Sequence, residues 1–153
     1  AAAGAPARWL LPRRLPVEGG VDPGFSLGRP ATVPQTAIDV GADDGPVMVT
    51  VEYQIDAGDA AAFAEVMRKT RRARLRQGAL SWGLFRDTAA PGRYIEYFVD
   101  ESWVEHLRRL ERFTAADAGL REQRLAFHRG DKPPEVRRFV AEGLRTTGRW
   151  PFW

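Results

Sequence analysis

The run Gly45-Pro46-Val47-Met48-Val49-Thr50-Val51-Glu52-Tyr53-Gln54-Ile55 decides the fold. From Val47 onward apolar residues alternate with mostly polar ones, the period of a strand with one buried face. Upstream there is no such period: residues 12–45 are dense in Pro, Gly and Asp, with isolated apolar positions such as Val17, Phe25 and Ile38, and read as a disordered linker. Downstream, residues 59–77 place Phe63, Val66, Met67 and Thr70 on one helical face, with Asp56 as N-cap and Gly78 as the stop.

Two strands come next, at about residues 80–86 and 93–100, joined as a hairpin by Asp87-Thr88-Ala89-Ala90-Pro91-Gly92. Ser102-Trp103-Val104-Glu105 has capping-box spacing and starts a helix with Trp103, Leu107 and Leu110 on one stripe. Thr114-Ala115-Ala116-Asp117 offers a second cap for a separate helix to about His128, and the last strand spans about residues 135–141. The order βαββαβ predicts an α+β, ferredoxin-like split βαβ domain over residues 46–142, with a four-stranded antiparallel sheet, both helical segments on one face, and a tail at 143–153. The other face is expected to carry Met48, Thr50 and Glu52, joined by Phe85, Phe98 and Phe139. That mixture is too apolar for open water and too polar for a dry core, so a second copy is expected to cover it.

With 153 residues the chain holds one such domain and not two. It has no cysteine, which removes disulfides, thiolate metal sites and thiol nucleophiles, and its two histidines, His106 and His128, leave little for a metal site. Basic residues number 23 against 20 acidic, too even a balance to point to nucleic acid. The basic run from Arg68 to Arg76 reads first as a solvated helix face and second as a contact for anionic lipid headgroups. Residues 1–11 are mostly apolar and end in Trp9-Leu10-Leu11 before Pro12-Arg13-Arg14, the pattern of a membrane helix leaving the bilayer on its cytoplasmic side. An Ala-rich terminus without fixed structure is the plainer reading, and both stay open.

Four segments together resemble the C-terminal cytosolic extension of major facilitator superfamily exporters of the enterobactin-exporter or transmembrane-secretion-effector type. They are residues 45–53, Gly78-Ala79-Leu80-Ser81-Trp82-Gly83-Leu84-Phe85-Arg86-Asp87, Pro91-Gly92-Arg93-Tyr94 and Glu101-Ser102-Trp103-Val104-Glu105-His106-Leu107. The linker motif Arg14-Leu15-Pro16-Val17-Glu18-Gly19-Gly20 also resembles the segment just after the last membrane helix in those exporters. The resemblance implies an antibiotic-biosynthesis-monooxygenase-like dimeric α+β barrel. It further implies a non-catalytic dimerisation or regulatory role at the cytoplasmic face of a bacterial membrane, with the transporter's membrane domain as partner in cis. The alternative it carries is a cofactor-independent monooxygenase acting on a small aromatic or quinol.

Haem-degrading relatives use an Asn on the first strand, a Trp and a His ligand late in the second helix; this first strand has no Asn and His106 lies in the first turns of its helix, so a haem site is not expected, and neither a metal nor another cofactor is expected. If the domain were an enzyme, the candidates would be His106, Trp82, Trp103 and Glu52. His106 could serve as a base near neutral pH, with Glu52, Glu96 or Tyr53 as possible partners, against the plainer reading of a half-exposed helical histidine bonded to backbone. Trp82 and Trp103 read first as core and second as the lining of a pocket.

Overall fold

The computed structural model describes residues 33–143. Strand β1, Val47–Gln54, buries Val47, Val49, Val51 and Tyr53 on one side and turns Met48, Thr50, Glu52 and Gln54 to the other, as its alternation predicts. A 3-10 turn, Ala57–Asp59, precedes helix α1, Ala60–Arg76, and neither Asp56 nor Asp59 caps it with its side chain. The helix ends in a Schellman motif: Gly78 N–H reaches the carbonyl of Leu75 at 3.1 Å and Ala79 N–H that of Arg74 at 3.0 Å, with Gly78 at φ +105°.

Strands β2, Ser81–Arg86, and β3, Arg93–Asp100, form the expected hairpin. In its loop the Asp87 carboxylate accepts from Ala89 N–H at 2.8 Å and from Arg93 at 2.6 Å. Gly92 adopts φ +83°, and its carbonyl accepts from Ile55 N–H at 2.8 Å. Helix α2, Trp103–Glu111, helix α3, Ala115–Phe127, and strand β4, Glu135–Val140, complete the domain. The sheet runs β2-β3-β1-β4 with every neighbour antiparallel, the ferredoxin-like order.

Thr114 and Asp117 form a complete capping box on α3. On α2 only half of one is made: Ser102 Oγ accepts from Glu105 N–H at 3.4 Å, while the Glu105 carboxylate pairs with Arg108 and Arg112. The other free donors of that first turn are taken by the preceding chain. Trp103 N–H bonds the carbonyl of Asp44 at 2.7 Å and Val104 N–H that of Ala42 at 2.9 Å, while Val40 packs on the core. The end of the segment read as linker is therefore held against the domain back to Val40; residues 1–32 lie outside the described residues, as does the tail from 144.

The core has two parts. Val47, Val49, Ala79, Phe98 and Trp103 form one, and Val51, Tyr53, Ile55, Phe63 and Met67 the other; Trp82 packs against both. Phe63 meets Tyr53, Tyr94 and Phe127 edge-on at centroid distances of 5.4, 5.4 and 5.9 Å. Trp103 and Trp82 are thus packing residues in this chain.

Removal of the cap by Ser102→Ala should cost about 1 kcal/mol at most, given its long bond, and Trp103→Ala roughly 3–5 kcal/mol. Gly78→Ala should lose about 1–2 kcal/mol to the positive φ alone. Gly92→Ala should lose more, because an added Cβ would also lie 2.5 Å from the carbonyl oxygen of Ile55. Urea denaturation of the four variants gives the ranking directly.

Candidate functional site

The register divides the titratable residues between the two faces of the sheet. Val51 lies opposite Glu96, Val49 opposite Phe98 and Val47 opposite Asp100, so Glu96, Phe98 and Asp100 all point toward the helices. A carboxylate in that position loses several kcal/mol of hydration and is tolerated only with partners.

Glu96 is fully buried. Its Oε1 accepts from Arg74 Nε and from Trp82 Nε1, both at 3.0 Å, and its Oε2 accepts from the Tyr53 hydroxyl at 3.0 Å. Burial alone would raise its pKa, but the charges of Arg74 and Arg124 and the donated hydrogen bonds outweigh burial and hold it below the usual carboxylate range. The Tyr53 phenol is pushed far up by burial and by the adjacent Glu96 charge, which keeps it a donor. Arg124, from α3, donates to Thr70 Oγ1 at 3.2 Å, and Thr70 in turn donates to the Val66 carbonyl at 2.9 Å.

Asp100 anchors a second group. Arg109 grips it in a two-pronged pair, Nε to Oδ1 at 2.9 Å and a terminal nitrogen to Oδ2 at 2.8 Å, and His106 Nδ1 lies 2.7 Å from Oδ2. Burial favours the protonated acid, yet the bonds from His106 and Arg109 prevail and lower the Asp100 pKa. At the other edge of the imidazole, Arg138 Nε donates to His106 Nε2 at 2.9 Å. A carboxylate on one side and a guanidinium on the other place the ring hydrogen on Nδ1 and leave Nε2 as the acceptor. The two groups meet at Phe98, whose ring centroid lies 4.2 Å from the guanidinium carbons of both Arg74 and Arg109.

These contacts correct several expectations. His106 is fully buried, where a half-exposed position was expected. Its carboxylate partner is Asp100, not Glu52, Glu96 or Tyr53. Glu52 lies on the opposite face of the sheet, paired with Arg93 at 2.7 and 2.9 Å. Arg74, read as part of a solvated basic face, is drawn inward to Glu96. Phe98, expected on the outward face with Met48, is 3% exposed in the core, because it belongs to the same alternation as Glu96 and Asp100. The signal that could have found the second group was present: Glu96, Phe98 and Asp100 share one side of their strand, and His106 and Arg109 lie three residues apart on one helix face.

Between α1 and α3 a crevice lined by Thr70, Arg74, Asp117 and Arg124 has room for about one water molecule. The outward sheet face is different. Met48, Thr50 and Glu52 lie beside Val99, Tyr97 and Ile95 of β3 and Phe139, Arg137 and Glu135 of β4, with Phe85 opposite Ile95 on β2. Phe85 is 59% exposed, Phe139 44% and Met48 39%. Phe85 stacks on Tyr97 at 5.7 Å, and Gly83 leaves the room for that Tyr97 ring, since a Cβ there would fall 2.3 Å from Cε1.

Residues 23–147 match the family of transmembrane secretion effectors, and the chain belongs to that family. None of the curated proteins matches it. Among solved structures it is similar to a Bordetella bronchiseptica protein provisionally named an antibiotic biosynthesis monooxygenase, with 21% identity over 65% of this chain and 99% of that one and a TM-score of 0.54. A Caulobacter crescentus protein of the same provisional name shares 16% identity over 66% and 93% of the two chains, also at 0.54. A conserved protein of Methanosarcina mazei shares 10% over 63% and 92%, again at 0.54. These likenesses define the fold, the antibiotic-biosynthesis-monooxygenase-like form of the split βαβ domain.

Because Glu96 and Asp100 have lowered pKa values when folded, their pairs stabilise the protein fully above the ordinary carboxylate values of 4.5 and 3.8, and that contribution is lost as pH falls through the lowered ones. Urea stability should therefore be level near neutrality and decline in acid. Glu96→Gln, which strands Arg74, should cost roughly 3–5 kcal/mol at neutral pH and progressively less in acid. A penalty that did not change with pH would contradict the ionised assignment.

Proposed function

We propose that this domain is a non-catalytic dimerisation and regulatory module of a bacterial exporter of the major facilitator superfamily, held at the cytoplasmic face of the membrane and paired with a second copy through its outward sheet face. The observation that carries the reading is that face itself. Phe85, Phe139 and Met48 stand exposed around half-buried Ile95 and Tyr97. The ion pairs Glu52–Arg93 and Glu135–Arg137 lie on the same face as a polar margin. A two-fold axis through such a face brings like patches together and buries them without a second kind of partner. Membership of a transmembrane family supports the attachment to a transporter.

The alternative, a cofactor-free oxygenase, has the fold and the Asp100–His106 pair in its favour, since a carboxylate that orients an imidazole is what a general base requires. Against it, Nε2 is held by Arg138 and the ring is closed off from solvent. The remaining buried polar groups are engaged with one another, and among the described residues every fully buried side-chain nitrogen and oxygen has a partner.

Sedimentation of the wild-type chain should report twice the monomer mass at micromolar concentration. Met48→Glu should shift it toward monomer, because the new carboxylate would be buried unpaired at the interface. Oxygen uptake with quinols and anthrones should stay at the protein-free background. A monomeric wild type would overturn the dimer, and turnover abolished in His106→Ala would establish the oxygenase in its place.

A further inference from the structure

The outer stripe of α1 carries Arg68, Lys69, Arg71, Arg72 and Arg76, all exposed, against one exposed acidic residue, Glu65. The whole chain has a net charge of only +3, so the remainder of the protein is close to balanced and this stripe holds the imbalance. Arg68 pairs with Glu65. Lys69, Arg71, Arg72 and Arg76 form no ion pair among the described residues, whereas the sixth basic residue of the helix, Arg74, is spent on Glu96. The arrangement works against the helix: Arg68 and Arg72, and again Arg72 and Arg76, stand four residues apart, where like charges repel. The helix dipole favours a cation in the last turn, which accounts for Arg76 but not for Lys69, Arg71 or Arg72.

We infer that this stripe is a docking surface for an anionic lipid bilayer, with Lys69, Arg72 and Arg76 on successive turns as its centre. This rests on the reading that the domain belongs to a membrane transporter. Such a stripe suits a plane of mobile phosphate headgroups, which asks for charge density along a line and for no particular register. It suits nucleic acid less well: the exposed side of α1 presents Ala61 and Ala62 beside the basic residues and no aromatic ring on which a base could stack. The surface is also separate from the sheet face proposed for dimerisation, since α1 packs on the opposite side of the sheet.

Vesicle flotation with the 153-residue chain tests the inference. Vesicles of phosphatidylcholine and phosphatidylglycerol in equal parts should bind it, vesicles of phosphatidylcholine alone should not, and added salt should weaken binding. Lys69→Gln, Arg72→Gln and Arg76→Gln together should lower partitioning about a hundredfold, roughly fivefold for each side chain. Arg72→Lys with Arg76→Lys should retain it, and Arg112→Gln, just past the end of α2, should leave it unchanged. Sedimentation of the triple variant should match wild type, so that a failure of the dimer and a failure of this surface are told apart. Equal binding to neutral vesicles, undiminished binding by the triple variant, or tighter binding to a DNA duplex than to anionic vesicles at the same salt would each overturn it.

Discussion

Two carboxylates on the wrong side of a strand set the terms for this fold. Glu96 and Asp100 face the helices, where water cannot solvate them, and each helix answers with an arginine: Arg74 from α1, Arg109 from α2 and Arg124 from α3. Apolar packing alone would allow the helical layer some freedom to slide over the sheet. Charge-assisted bonds at about 3 Å, two of them pronged onto one carboxylate, do not. Phe98, in contact with both guanidiniums, joins the two groups, so substitutions at Arg74, Phe98 and Arg109 should behave as one coupled unit, not as independent changes.

The elements that obey local rules were legible in the sequence. Alternation marks β1 and β3, Gly78 the end of α1, and Ser102 and Thr114 two helix starts, because caps and periods act within a few residues of themselves. The features that escaped depend on register between distant strands. Phe98 reads as outward-facing because nothing in Arg93–Asp100 says which half of its alternation is buried: both halves contain aromatics, and the buried half contains the carboxylates. Arg74 looks like one more solvated arginine in a basic run until Glu96, twenty-two residues on, is found beneath it. For Asp100 the local spacing was legible, since it shares a strand side with Glu96 and Phe98, but that this side faces His106 and Arg109 is decided only by the assembled sheet.

The two sides of the sheet consequently have opposite character. On the helix side, the fully buried polar groups among the described residues are engaged with one another, and the crevice between α1 and α3 has room for about one water molecule. On the outward side, apolar groups have no cover among the described residues. The preference for an assembling part over a reacting one rests on that contrast.

The carbonyls of Ala42 and Asp44 give the chain entering the domain a particular grip. They hold the first turn of α2, the helix that carries His106 and Arg109, and through those residues the end of β3. The entering chain is thereby tied, through one helix and two side chains, to the end of a strand that lies in the interior of the sheet, so that the start of the domain and its central strand are fastened at the same place.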